Sequence, residues 1–436
     1  MVRAPFPDEF LWGAATSSHQ VEGDNRDCDW WDWEQRAGVI HDGTRSGGAA
    51  GWWAGRAEED LQRAASMGHT AHRLSLEWSR LEPAPGRYDP RALERYGEIL
   101  EAARGLGLRT MVTLNHFTLP RWAAAGGSWL DGTLPERLGA LSARCARVLG
   151  DRVDLWATLN EPNVLALMGY AAGQWPPGHR RVDRALRAMT NLLRAHVECY
   201  RAVHRERPEA QVGLVLNLPS IEPARSQHAL DRAVVFTHDW LFSGVWLWAL
   251  EHGRLPWPLS LRRPVVPGLA GSFDWLGINY YGKMETRFDP WAADRLFGRH
   301  VQESTVRSAF ADWGQIHPPG LAAQLRRLAT LGAPVYVTEN GVFDNEDRLR
   351  PRYLLEHVAA VRDVLAEGVD VRGYFHWSLV DNFEWGEGWA THFGLLALDR
   401  RTQERTPRRS AEIYAQLCRS RGAALDDLLA GLDAAG

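Results

Sequence analysis

Hydrophobic and polar positions in this chain alternate between two spacings. Short runs rich in valine, isoleucine, leucine and aromatic residues occur at positions 10–14, 72–78, 109–114, 153–159, 212–217, 273–281, 335–338 and 371–378. Runs of that length and composition read as strands buried in a sheet. Longer segments with apolar residues at helical spacing lie between most of them, at 54–67, 93–105, 135–149, 182–207, 229–244, 320–331 and 353–367. Gly68 stands where the first of these helices should stop. Strands that alternate with helix-sized crossovers are parallel neighbours, and eight such units close into a barrel. The pattern therefore predicts an α/β fold: one (β/α)8 barrel over residues 1–436, with no Pro-, Gly- or Ser-rich linker dividing it. Residues 30–53 are rich in Trp and Gly and lack periodicity, which predicts an extended βα loop over the C-terminal face. The last ~15 residues are expected to form a loose tail.

Composition narrows the function classes. Hydrophobic residues make up 45% and charged residues 24%, as in an ordinary soluble globular protein, and a net charge of −4 leaves no basic footprint for nucleic acid. Lys283 is the single lysine, so arginine supplies nearly all of the positive charge. We read this as coding bias, and pairs such as Arg400-Arg401 and Arg408-Arg409 are expected to be solvated. Cys28, Cys145, Cys199 and Cys418 have neither metal-ligand spacing nor the density of a disulfide framework. The N-terminal residues lack a signal-peptide core, and no apolar run approaches a membrane span. A reducing cytoplasm is the expected home, with no membrane partner. The 21 tryptophans are unusual, and their flat apolar faces suit ligands with C–H surfaces, sugars among them.

In such a barrel every strand opens its C-terminal end onto one face, where active sites sit. The residues at or just past those ends are Gln20, Arg73, His116, Asn160 with Glu161, Asn279 with Tyr281, Glu339, and Trp377. Polar and titratable groups recurring at strand ends are poorly explained by packing. Glu161 and Glu339 are carboxylates from the fourth and seventh strands, which face each other across the mouth. A buried carboxylate is costly without a partner or a task. Glycoside hydrolysis uses such a pair, about 5 to 5.5 Å apart in retaining enzymes and about 6.5 to 9.5 Å apart in inverting ones.

The motifs around these residues are Thr158-Leu159-Asn160-Glu161-Pro162 and Thr338-Glu339-Asn340-Gly341. With them, the sequence resembles glycoside hydrolase family 1, the retaining β-glucosidase and β-galactosidase family, from Phe6 to about Tyr414. The resemblance implies a retaining exo-β-glycosidase that acts on a small β-glycoside without metal or cofactor. It makes Glu339 the nucleophile and Glu161 the general acid/base, with Tyr281, Arg73 and Asn279 around the nucleophile. Arg73 is expected to hold Glu339 ionised, and Glu161 needs a raised pKa to arrive protonated. Gln20, His116, Asn160, Glu384, Trp377 and Trp385 correspond to the pocket for the terminal sugar, and Phe393 is counted with them. Members acting on 6-phosphorylated sugars usually carry a small residue in place of Glu384, with a downstream serine, lysine and tyrosine. Here Ala390-Thr391-His392-Phe393 follows and no lysine does, so a non-phosphorylated sugar is expected.

Departures from the family pattern fall on the leaving-group side. His116-Phe117 stands where the family commonly has His-Trp, and Asp312-Trp313-Gly314-Gln315-Ile316-His317-Pro318 replaces a Gly-Trp-Glu stretch. The segments around Glu77 and Asp370 look more like the branch rich in archaeal members. Alternatives are a non-catalytic sugar-binding barrel, a transglycosylase and a 6-phospho-β-glycosidase. Oligomeric state is not legible.

Overall fold

A computed structural model describes residues 5–261, 265–301 and 314–435. Eight strands form a closed parallel barrel: β1 (Leu11–Ala15), β2 (Ala71–Ser75), β3 (Arg109–Asn115), β4 (Leu155–Asn160), β5 (Val212–Asn217), β6 (Trp275–Tyr280), β7 (Val335–Asn340) and β8 (Val371–Trp377). Each strand pairs with its neighbours in sequence, and β8 closes on β1 through Leu11 opposite Gly373 and Ala15 opposite Trp377. Nearly every strand residue is buried on both sides, which explains the continuous apolar runs in the sequence. The barrel interior holds a core of its own, built from Leu11, Met111, Leu155, Val215, Trp275, Tyr336, Phe375 and their neighbours. Its filling is tight. A Cβ at Gly277 on β6 would approach the side chains of Thr338 and Val215 to 2.8 Å.

The outer layer contains α1 (Ala57–Ser66), α2 (Pro90–Gly105), α3 (Leu134–Leu149), α4 (Val182–Glu206), α5 (Ala229–Asp239), α6 (Pro318–Ala329), α7 (Arg350–Ala366), α8 (Arg409–Arg419) and α9 (Leu425–Ala435). Local chemistry sets their ends. Asp89 caps α2 by accepting the Arg91 amide at 2.9 Å, and Pro90 occupies the first turn, where no amide is needed.

Several expectations change. The second strand stops at Ser75, because the Glu77 carboxylate accepts the Ser79 amide at 3.2 Å and starts the short helix Trp78–Leu81. The seventh runs on to Asn340, so Glu339 lies inside the strand. The aperiodic 30–53 stretch begins in a short helix, Asp29–Glu34, that buries Trp30 and Trp33. α5 continues through Trp240–Gly244 into Val245–His252, and this 24-residue stretch is long and apolar enough to cross a membrane by length and composition. Here it is part of the outer layer, with Val245, Trp246 and Leu250 in the core and Asp231 fully buried on a fork from Arg225.

The expected loose tail is also corrected. The chain there forms α9, with Leu425 fully buried and Asp426 accepting both Arg362 nitrogens at 2.8 and 3.0 Å. Arg408 is not solvated either: it forks onto the Asp381 carboxylate at 2.7 and 2.8 Å. That pair ties α8 to the loop after β8.

Candidate active site

The C-terminal mouth brings together residues distant in sequence. Arg73 points inward from the middle of β2 and donates through Nη1 to Glu339 Oε1 at 2.5 Å, while its Nη2 reaches Asn160 Oδ1 at 2.6 Å. Tyr281, just past β6, donates to the other oxygen of Glu339 at 2.6 Å. Both oxygens of Glu339 are therefore held by strong donors.

Glu161 follows β4 and, among the described residues, has no such charge partner within hydrogen-bonding distance. Its Oε1 accepts the side-chain amides of Asn279 at 2.8 Å and Asn217 at 2.9 Å. Its backbone lies in the left-handed region, at φ 43°, a conformation that persists in a non-glycine residue only when the surroundings hold it. The holding groups are visible: the Glu161 amide donates to Val215 O at 2.9 Å, and Asn163 clamps the main chain of Asn217.

Asn279 connects the two carboxyl groups. Thr338 fixes its carbonyl oxygen at 2.7 Å, which turns its amide nitrogen toward Glu161. The same amide donates to Asn160 Oδ1 at 3.1 Å, and that oxygen also accepts Arg73 Nη2, so the two carboxyl groups are linked through Asn279, Asn160 and Arg73.

Burial raises the pKa of both carboxyls, but the opposing effects differ. Glu161 is pushed up to about 8, first by burial and then by the negative charge of Glu339. Glu339 is also raised by burial, against the lowering effects of Arg73 and Tyr281. The guanidinium thus offsets burial rather than abolishing its effect. Tyr281 is pushed well above its ordinary value by burial and the nearby carboxylates, so its hydroxyl remains a donor.

The remaining expected residues form the walls. Gln20, in the short helix Ser18–Val21, donates to Asn382 Oδ1 at 2.7 Å and Phe383 O at 2.9 Å, and lies 3.4 Å from Glu384 Oε2. Trp377 donates its indole N–H to Glu384 Oε1 at 3.1 Å. Burial pushes Glu384 up to about 8. Asn160 donates to His116 Nε2 at 3.1 Å, and burial beside Arg73 keeps His116 neutral by holding its pKa well below the ordinary value. His116 Nδ1 is buried without a partner among the described residues. The His116 ring is nearly parallel to Trp377 and Trp385, with centroids 6.2 and 6.1 Å away. Phe393 lies edge-on to Tyr281 at 6.1 Å, so it backs that ring.

Sequence reasoning missed Asn217, Asn163 and the way Trp30 and Trp175 join Phe117, noted only as a departure on the leaving-group side, around Trp385. Asn217 was within reach, since it ends β5 and the strand-end rule applies to it. Trp175 carries no local cue, because it lies in a loop and meets Phe117 only in three dimensions. Of the stretch replacing Gly-Trp-Glu, Asp312 and Trp313 lie outside the described residues. Among the described residues no group of three or more His, Cys, Asp or Glu side chains is placed to hold a metal ion.

A closed parallel barrel with two differently held carboxyl groups at its C-terminal mouth belongs with the barrel glycosidases. The comparisons make the class specific. The model for glycosyl hydrolase family 1 matches residues 2–423, and the chain belongs to that family. It is 32% identical to β-glucosidase A of Thermotoga maritima, over 96% of this chain and 98% of that protein. It is also 32% identical to a β-glucosidase of Agrobacterium sp., over 95% of each. Among solved structures, a β-glycosidase from Pyrococcus horikoshii superposes with a TM-score of 0.88 at 35% identity, covering 96% of both chains.

Proposed function

We propose that the protein is a retaining exo-β-glycosidase that releases a terminal, non-phosphorylated β-D-glycosyl residue, with glucose as the foremost candidate. The observation that carries this reading is the pair of buried carboxyls at one barrel mouth, Glu339 held by Arg73 and Tyr281 and Glu161 by two neutral amides. Membership of glycosyl hydrolase family 1 supports the retaining course over the inverting one. The split environments supply the roles. Glu339, held by Arg73 and Tyr281, attacks the anomeric carbon as the carboxylate, while Glu161, neutral below about 8, protonates the leaving oxygen. Glu161 then takes a proton from water as the glycosyl–Glu339 bond is broken.

Gln20, Glu384, Asn160 and His116 recognise the sugar hydroxyls, and the unpartnered His116 Nδ1 is one such group. Trp377 and Trp385 supply ring faces. Glu384 is held by Gln20 and Trp377, so among the described residues a 6-phosphate there would meet an acid and its neutral donors rather than a cation. Relatives named as β-glucosidases, and a T. maritima structure in complex with glucoimidazole, support glucose. Cys28, Cys145, Cys199 and Cys418 are buried and unbridged, which supports a cytoplasmic location.

The test is to incubate the protein with a slow 2-deoxy-2-fluoro β-glucoside and locate the label by mass spectrometry. Labelling of Glu339, β-configured first product by NMR and loss of aryl β-glucoside turnover in Glu339→Gln are the expected results. Inverted product, or more than a few per cent of activity in that variant, overturns the reading. Added alcohol acceptors measure how far transfer competes with hydrolysis.

A further inference from the structure

Glu161 Oε1 accepts two amide N–H groups, from Asn279 and Asn217. One carboxyl oxygen offers two lone-pair directions, so Oε1 is occupied as an acceptor and a proton on it would meet a donor hydrogen. Asn217 is itself held in place. Asn163 Nδ2 donates to its carbonyl at 2.6 Å, and its amide donates back to Asn163 Oδ1 at 3.3 Å. Asn163 lies two residues after Glu161, so the end of β5 and the loop carrying the acid are locked to each other.

We propose that Asn217 is a positioning residue for proton transfer: together with Asn279 it keeps Oε1 of Glu161 an acceptor, so that Oε2 alone gives and takes the proton. This rests on the acid/base reading of Glu161. In the first step the Oε2–H proton moves to the leaving oxygen as the bond from that oxygen to the anomeric carbon breaks toward oxygen and the Glu339 ester forms. In the second, water bonds to the anomeric carbon, its proton goes to Oε2, and the ester pair returns to Glu339. Both amides favour the charged carboxylate and oppose the burial that raises it.

Asn217→Ala and Asn217→Asp are compared on an alkyl β-glucoside and a 2,4-dinitrophenyl β-glucoside across the pH range. The Asn163 clamp uses the main chain of Asn217, so both variants leave it intact, and Asp is isosteric with Asn. For Asn217→Ala, kcat/KM on the alkyl substrate falls about tenfold or more, and on the dinitrophenyl substrate less than about threefold. The alkaline limb moves up, and further in Asn217→Asp, where a second acid faces Oε1. Equal losses on both substrates, or an unmoved limb in both variants, overturn the proposal. Glu161→Ala, run alongside, separates the failures: no leaving-group dependence there means the acid/base reading itself is wrong.

Discussion

The two sides of the barrel mouth treat the same residue type in opposite ways. Glu339 and Glu161 both stand at strand ends and are almost equally buried, at 3% and 6% exposure, so burial does not distinguish them. Their partners do. On the β2, β6 and β7 side, a guanidinium and a phenol each take one oxygen of Glu339. Glu161, after β4, is held on one oxygen only, by the neutral amides of Asn217 on β5 and Asn279 on β6. Donors of different charge thus divide one chemistry into a nucleophile and an acid.

Removing the charge from the first side should have the largest effect. Arg73→Met leaves Glu339 buried without its cation, and kcat/KM on an aryl β-glucoside should fall by roughly 10²- to 10³-fold, with the acidic limb moving up. A smaller loss, or an unmoved limb, would mean that Tyr281 suffices to hold the carboxylate.

The second side can be tested by stability. Burial holds Glu161 at about 8 in the folded protein, above its ordinary value of 4.5, so the native state keeps a proton that the unfolded chain releases. Stability from this group is present below about 4.5 and is lost as pH rises through about 8. Glu161→Gln cannot titrate. Its melting temperature should match wild type near pH 4 and exceed it at pH 8 to 9, by on the order of a few kcal/mol in stability. An advantage that shrinks as pH rises would contradict the raised pKa.

The smallest effect is expected from Tyr281→Phe, which removes one of the donors to Glu339 and keeps the ring against Phe393. A loss of about tenfold in kcat/KM with little change in melting temperature is the expected result. A loss as large as that of Arg73→Met would show that the phenol and the cation matter equally.

Much of this site was legible because strand ends in a barrel converge. Reading at and just past the ends of the apolar runs found Gln20, His116, Glu161, Tyr281 and Glu339 without any distance in hand, whereas Arg73 proved to reach in from mid-strand. Glu77 shows where that method stops: the alternation of 72–78 imitates a strand, but the carboxylate caps a helix instead. Arg408 shows a second limit, since arginine bias hid a buried fork onto Asp381. The aromatic cluster of Trp30, Phe117, Trp175 and Trp385 shows a third. Four loops supply it, and no window of sequence contains more than one member.

The sequence by itself determined the barrel, the family and the two carboxylates, because periodicity and motifs are local properties written in consecutive residues. Only the tertiary structure decided what each carboxyl became. The Arg73–Glu339 pair and the two amides on Glu161 join residues from five different strands and their ends. A pKa in a buried site is set by such distances and by the exclusion of water, and both exist only once the barrel has closed.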